Sequence, residues 1–385
     1  MHLFYSLHGC RKLKKDPTVK QIIQIIEEIA PKAFALPGDP VGLQCGELDR
    51  TVSRLMVSLD ATIETVIQAA EFKADLLVTH HPLLFEPLTQ ENILGPVGST
   101  LARAIREELA IYSAHTNLDA SPYGINASLA NLLDLGERRI LQASGTESFK
   151  LVVFVPREKL EQVRSAAFKA GAGRIGDYSK CSFTVEGMGT FRPEERASQT
   201  TGQTGRDEKV PEVRLEVSVQ SEDLGTVLAE VRKAHPYEMP AIDVYPKISS
   251  TPGAGFGIAG ALPQQSTVGQ VAAGVVSTLK PGSLRLVGKK GARIKNVAVC
   301  AGSGASLLDA AVAAGAQLYI TGDVKYHDAR RAEDAGIHVL DVGHFGPEKY
   351  GLLRFGKLLE KKLVGHGLKV QLSFAKEKDP FVPVL

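Results

Sequence analysis

Short apolar runs alternate with amphipathic stretches near both ends of this chain, and that grammar limits the fold more than any other feature. Leu55 to Leu59 reads as a strand, Thr62 to Phe72 as a helix and Leu76 to Thr79 as a second strand. Such a unit should cross over right-handed and pair its strands in parallel. Val19 to Ala30, with Ile22, Ile23, Ile25, Ile26 and Ile29 on one side, reads as an amphipathic helix. A helix from Ser99 to Glu108 leads into a strand at Ile111, and another helix spans Ile125 to Leu133. The pattern returns late, with strands at Val297 to Cys300, Leu318 to Thr321 and Val339 to Val342. Helices are expected there at Ser306 to Ala314, Tyr326 to Ala335 and Pro347 to Leu363.

Three of these strands end in residues that bind metals. The first closes on His80-His81-Pro82, the second on Ala114-His115-Thr116-Asn117-Leu118-Asp119, the third on Gly343-His344 with Glu348 beyond. In open α/β sheets, ligands collect beyond the carboxyl ends of the strands. His80, His81, Asp119, His344 and Glu348 could therefore meet at one place. Three imidazoles and two carboxylates suit one divalent cation, and suit two better. Zinc, manganese, iron and cobalt all accept such a set. Taken alone, Asp119 could cap the turn before Ser121-Pro122, and Glu348 could simply complement a helix N-terminus. Pro82 holds His81 extended, which lets neighbouring imidazoles aim at one cleft. Pro347 suits a first helical position, so His344 is expected on the strand end and Glu348 in the helix's opening turn. His115 reads as a strand residue packed behind the ligands rather than as a ligand.

The character of the chain changes near Gly145. Strands at Leu151 to Val155, Ser182 to Val185, Val213 to Val219 and Ile242 to Tyr245 enclose helices at Lys159 to Ala170 and Leu224 to Ala234. The order βαββαβ suggests a ferredoxin-like module. Residues 194–210 are polar and read as a mobile hairpin loop. The expected organisation is a tail at 1–15, a metal-binding α/β domain in two halves at 16–143 and 251–385, and an inserted α+β domain at 144–250.

A chain of 385 residues with 44% hydrophobic content is long enough for two or three such cores. Its formal net charge of +2, without a basic stripe, argues against nucleic acid as a partner. Four scattered cysteines, Cys10, Cys45, Cys181 and Cys300, form no CxxC pair and fit a reducing cytoplasm rather than a disulfide framework. No stretch approaches the roughly 18 apolar residues of a membrane span.

Two further turns carry chemistry. Gly302-Ser303-Gly304-Ala305-Ser306 follows a strand and opens a helix, so its N–H groups could face an anion such as a phosphate. Thr321-Gly322-Asp323-Val324-Lys325-Tyr326-His327 ends the next strand. There His327 is the candidate proton-transfer group, with Asp323 beside it in a catalytic role, and Lys325 is a candidate phosphate contact. A solvated helix start is the alternative for each.

These blocks, in this order, resemble the GTP cyclohydrolase I type 2 homologue family, also called Nif-three-like proteins. Val41-Gly42-Leu43-Gln44, Thr79-His80-His81-Pro82-Leu83-Leu84-Phe85, Ala114 to Asp119, Gly302 to Ser306, Thr321 to His327 and Asp341-Val342-Gly343-His344 carry the likeness. In the middle segment, Gly189 to Pro193 and His235 to Pro246 look like the insert of the longer bacterial members. The resemblance implies a dinuclear metal centre on His80, His81, Asp119, His344 and Glu348. It also implies an inserted ferredoxin-like domain of the PII/CutA kind and a ring-shaped homohexamer. The implied reaction is opening of the guanine imidazole ring of GTP with release of formate. The chain departs from the family at Gly38-Asp39-Pro40, at Glu86 and at Ala127, and the first two bear on a substrate-facing wall.

The expectation is thus a two-metal hydrolase of a nucleotide-like or phosphorylated substrate, without membrane association. The alternative is a metal-loaded scaffold or metallochaperone, with the insert as its regulatory or partner surface.

Overall fold

The computed structural model describes residues 16–144, 148–175, 178–192, 205–247 and 254–382. The expected tail at 1–15 and most of the loop expected at 194–210 lie outside them. The chain divides into two compact units, one of residues 1–145 with 250–385 and one of residues 146–249.

The larger unit begins with α1 (Val19–Ile29), β1 (Gly42–Cys45), β2 (Arg54–Ser58), α2 (Ile63–Glu71) and β3 (Leu76–Thr79). It continues through α3 (Gln90–Leu94), α4 (Pro96–Arg106), β4 (Ala110–Ser113), α5 (Thr116–Ala120), α6 (Ile125–Leu132) and β5 (Gly136–Ala143). The smaller unit runs β6 (Ser148–Pro156), α7 (Leu160–Lys169), β7 (Ser182–Phe191), β8 (Glu208–Gln220), α8 (Leu224–Ala234) and β9 (Ile242–Lys247). The larger unit then resumes with β10 (Gly255–Thr267), α9 (Val268–Leu279), β11 (Arg285–Val287), β12 (Arg293–Val299) and α10 (Leu308–Ala313). It ends with β13 (Leu318–Thr321), α11 (Tyr326–Asp334), β14 (His338–Asp341), α12 (Phe345–Gly365) and β15 (Gln371–Phe374).

Two sheets build the larger unit. One has the order β1-β4-β3-β2-β15, the other β11-β14-β13-β12-β10-β5. β2, β3, β4 and β15 pair in parallel, as do β12, β13 and β14. Leu76, Leu77, Val78 and Thr79 are all buried, as a parallel strand covered on both faces must be. The cause is layering. Helices α1, α6, α9 and α12 lie in one apolar core with the facing sides of both sheets. The outer side of the first sheet packs on α2 and α4, and that of the second on α10 and α11.

Local chemistry sets the element ends. Thr18 caps α1 in a reciprocal box with Gln21, and Ile22 and Ile26 of that helix are fully buried. Each such isoleucine contributes roughly 1.5–3 kcal/mol over an exposed one. Gly343, at φ +70°, turns the chain from β14 into α12. Among the described residues, no helix is long and apolar enough to cross a membrane.

The smaller unit is an antiparallel sheet of order β7-β8-β6-β9, with an apolar core formed with α7 and α8. Strands β7 and β8 are longer than the sequence predicts. Gly189, Thr190 and Phe191 still pair with Val210, Lys209 and Glu208. Backbone pairing carries the hairpin past the point where its apolar alternation stops.

Candidate metal centre

The ladder of the first sheet delivers the histidine pair. His80 N–H donates to Ser58 O at 3.1 Å and His81 N–H to Leu59 O at 2.8 Å, so β3 continues past its last regular residue alongside β2. Beside it, β4 stops at Ser113 and His115 becomes the residue before α5. His115 is therefore not inside a strand, as its sequence context predicts, and Asp119 sits one helical turn beyond it. From the second sheet, β14 leads through Gly343 to His344, which adopts helical angles immediately before α12. His344 and Glu348 are thus one turn apart on a continuous helix start, with Pro347 in its first turn. The sequence predicts a strand-end His344 instead. Proline is tolerated there because first-turn N–H groups have no helical partner.

These ends meet. His80 Nε2 lies 3.7 Å from Asp119 Oδ1 and 3.9 Å from Glu348 Oε1. His81 Nε2 lies 3.1 Å from Glu348 Oε2, and His344 Nε2 lies 2.9 Å from Glu348 Oε1. Ligand atoms of His80, His81 and His115 fall within 4.8 Å of one another, as do those of His81, His344 and Glu348. The two groups share His81 and could each hold a metal ion.

Each imidazole is fixed from behind. His80 Nδ1 bonds Ala114 O at 2.9 Å, His81 Nδ1 bonds Asp60 Oδ1 at 2.8 Å, His344 Nδ1 bonds Asp323 Oδ2 at 2.7 Å, and His115 Nδ1 bonds Asp39 Oδ1 at 2.9 Å. Partners on Nδ1 leave Nε2 facing inward, the usual support behind metal-binding histidines. Asp39 also accepts from Thr116 N at 3.1 Å and from the Thr116 hydroxyl.

The donor set fits a cation. His80 Nε2, Asp119 Oδ1 and Glu348 Oε2 are buried and have no hydrogen-bond partner. Glu348 Oε2 is near His81 Nε2 but not in hydrogen-bonding geometry. Burial pushes the His80 pKa down to about 3, so its ring is neutral. With its proton on Nδ1 toward Ala114 O, its Nε2 is a bare lone pair aimed at two carboxylates. Burial, then the Glu348 charge, raises the Asp119 carboxyl well above its ordinary range. Burial also opposes ionisation of Glu348, but the His344 and His81 imidazoles beside it outweigh that and hold the carboxyl low. Buried donor atoms of two imidazole-bearing elements and two carboxyl groups converging on one point are what a metal ion requires, once it displaces the protons held there.

The centre opens into a cavity of about 370 Å³. Leu36, Phe85, Phe256 and Leu307 give it apolar walls, with Gln142 and Ser303 among its polar lining. Gly302, Ser303 and Gly304 also line it. The Gly304 N–H, however, donates inward to Gly302 O at 3.1 Å and to the Thr321 hydroxyl at 3.1 Å, so the expected anion cradle loses that donor. Asp323 reaches the centre as the partner of His344 rather than as an independent catalytic group. His327 and Lys325 do not line the cavity. Both are exposed at the start of α11, where the His327 ring meets Tyr326 edge-on at 5.5 Å. Asp323, at φ +56°, turns the chain off the strand axis before either residue is reached.

Sequence reasoning missed His115 at the centre, and Asp39 and Asp60 behind it. Sequence context places His115 behind the ligands rather than among them, and only Asp60, directly after the apolar run Leu55 to Leu59, carries a sequence signal of its own.

Fold and centre define a mixed α/β protein whose strand ends gather histidines and carboxylates into groups able to hold a metal ion. The family model described as Duf34/NIF3 (NGG1p interacting factor 3) matches residues 17–380, and the chain belongs to that family. It is 38% identical over 345 residues to the GTP cyclohydrolase 1 type 2 homolog of Bacillus subtilis, covering 89% of this chain and 92% of the relative. A protein of the same description from Halalkalibacterium halodurans is 38% identical over 324 residues, covering 84% of this chain and 87% of the relative. Among solved structures, a Bacillus cereus protein related to NIF3 superimposes with a TM-score of 0.67 at 37% identity, covering 96% of this chain and all of that one.

Proposed function

We propose that the chain is a hydrolase that uses two divalent cations on a nucleotide-like substrate, with opening of the guanine imidazole ring of GTP as the first reaction to test. One observation carries the metal reading: the buried His80 Nε2, without a hydrogen-bond partner, facing the Asp119 and Glu348 carboxyl groups. His80, His81, His115, Asp119, His344 and Glu348 would hold the ions. Divalent cations held there supply Lewis acidity and activate water near neutral pH. Asp60, Asp323 and Asp39 keep the imidazoles aimed inward and neutralise the charge the ions bring. The apolar walls at Phe85 and Phe256 suit a flat ring. The substrate itself comes from the relatives' description as GTP cyclohydrolase 1 type 2 homologs.

A homo-oligomeric, cytoplasmic protein is part of the same proposal. So is an inserted ferredoxin-like domain of the PII/CutA kind at 146–249, supported by its βαββαβ order. The test is metal-reconstituted protein with a nucleotide panel. Formate release from GTP supports the cyclohydrolase, inorganic phosphate moves the chemistry to phosphorus, and His80→Ala with His81→Ala should abolish either.

One observation favours a metal-holding scaffold instead. Every imidazole lining the cavity is tied to an aspartate or is itself a proposed ligand, which leaves no separate proton-transfer side chain among the described lining residues. Tight, reversible metal binding without turnover on any nucleotide would select it.

A further inference from the structure

The last described stretch of the chain returns to the metal centre. Beyond β15, Ala375 N–H donates to Val57 O at 2.9 Å, which keeps the segment alongside β2. The Gln68 amide brackets Lys376, donating to its carbonyl at 3.1 Å and accepting from its N–H at 2.8 Å. The next residue, Glu377, is thereby set at the end of β2 with its side chain only 6% exposed. Its Oε1 accepts from Leu59 N and Asp60 N, each at 3.0 Å, and its Oε2 accepts from Lys349 Nζ. Lys349 also donates to Ala375 O at 3.2 Å.

Both ends of this clamp adjoin the centre. Asp60 is the carboxylate that orients His81, and Lys349 directly follows Glu348. The Asp60 carbonyl is held as well, accepting from the hydroxyls of Ser58 at 3.0 Å and Thr65 at 2.9 Å. With its N–H and its carbonyl both fixed, the Asp60 backbone is set where its carboxylate meets His81 Nδ1 at 2.8 Å. Fastening the tail to the sheet does not by itself require Glu377, because the β15 ladder and Gln68 already do that. What Glu377 adds is a charge-assisted bond to the two backbone amides that precede the Asp60 side chain, and to the lysine beside a metal-binding glutamate.

We propose that Glu377 is a positioning residue for the metal centre, holding Asp60 against His81 and Lys349 beside Glu348 through one buried carboxylate. This rests on the metal reading given above, and cobalt(II) binding to the unsubstituted full chain tests that reading separately. Absence of cobalt binding there overturns both.

Where the unsubstituted chain binds, Glu377→Gln should bind cobalt about tenfold or more weakly, in the range typical for groups behind metal ligands, with an altered visible absorption band. Glu377→Asp keeps the charge opposite Lys349 but shortens the reach to the amides, and should shift the same band. It serves if the Gln variant does not fold. Gln68→Ala, which loosens the tail without touching Asp60, should leave affinity and spectrum unchanged. Asp60→Asn and Glu377→Gln should be less than additive in cobalt affinity, because both act through His81. The proposal falls if the Glu377 variants lower only the melting temperature and keep the parent affinity and spectrum. It falls equally if Gln68→Ala reproduces their effect.

Discussion

Gly302 has no room for a side chain. At φ +62°, a Cβ there would stand 2.5 Å from Glu348 Oε1 and 3.4 Å from His344 Cε1. Gly302→Ala would add about 1–2 kcal/mol of left-handed backbone strain and push on two proposed ligands at once. The variant should show a lower metal-to-protein ratio by elemental analysis together with a modest loss of melting temperature. Protonation of the histidines gives a second test. For His81, burial opposes charge, but its Nδ1–H bond to Asp60 and the Glu348 carboxylate beside Nε2 win and raise its pKa to about 10. The Glu348 bond raises His344 to about 9, against burial. Both folded values exceed the unfolded one, about 6.5. Their contribution to the metal-free fold is therefore fully present below pH about 6.5 and lost as pH rises through 9 and 10. Metal must displace those protons, so calorimetry near pH 7 in buffers of different ionisation enthalpy should show net proton release. No dependence on the buffer would contradict this. At this scale His80, His81 and His344 were legible because they follow apolar strands, and Asp119 and Glu348 because each lies four residues past a histidine of such a strand end. Asp39 and Asp60 were not, because a partner is set by which strand end lies alongside, and spacing along the chain does not encode that.

Among the elements, those with a clear hydrophobic period were legible, and α1, β3 and β13 match the residues that period marks. β10 was not, since Gly255, Gly257 and Gly260 erase the alternation that a strand usually shows. Its neighbour β5 begins Gly-Glu-Arg-Arg and carries the charge of a sheet edge, which resembles a loop in sequence. Yet these two strands join the halves of the larger unit, with Gly255 opposite Ala143 and Ser144 N–H donating to Ala254 O at 3.2 Å. The helix following β10 has a separable contribution. Thr267 caps α9, accepting from Gln270 N at 3.2 Å while Gln270 Oε1 accepts from Thr267 N at 2.9 Å. Thr267→Ala should cost about 1 kcal/mol, seen as a lower denaturant midpoint at unchanged slope, with metal content untouched.

For the whole molecule, the adjacency of residues 144 and 254 makes the smaller unit removable. Replacing 145–253 by a two-residue hairpin turn should reconnect β5 to β10 directly. The shortened protein should remain folded by circular dichroism and bind metal at the parent stoichiometry, and loss of either would contradict the independence of the larger core. Metal should also stabilise the intact protein, by about 2.7 kcal/mol when free ion is a hundredfold above its dissociation constant. A melting temperature that rises on reconstitution and falls with chelator would show it. One feature of the topology bears on how the molecule is made. β15, the last strand, pairs with β2, near the start, and His344 and Glu348 come from the same late stretch. At about 5–20 residues per second, a ribosome makes the first histidines some tens of seconds before His344 and Glu348 exist. During that wait β2 is an open edge and the nascent imidazoles are unguarded. The centre can therefore close only after most of the chain has been made, and one half of its donors must wait for the other.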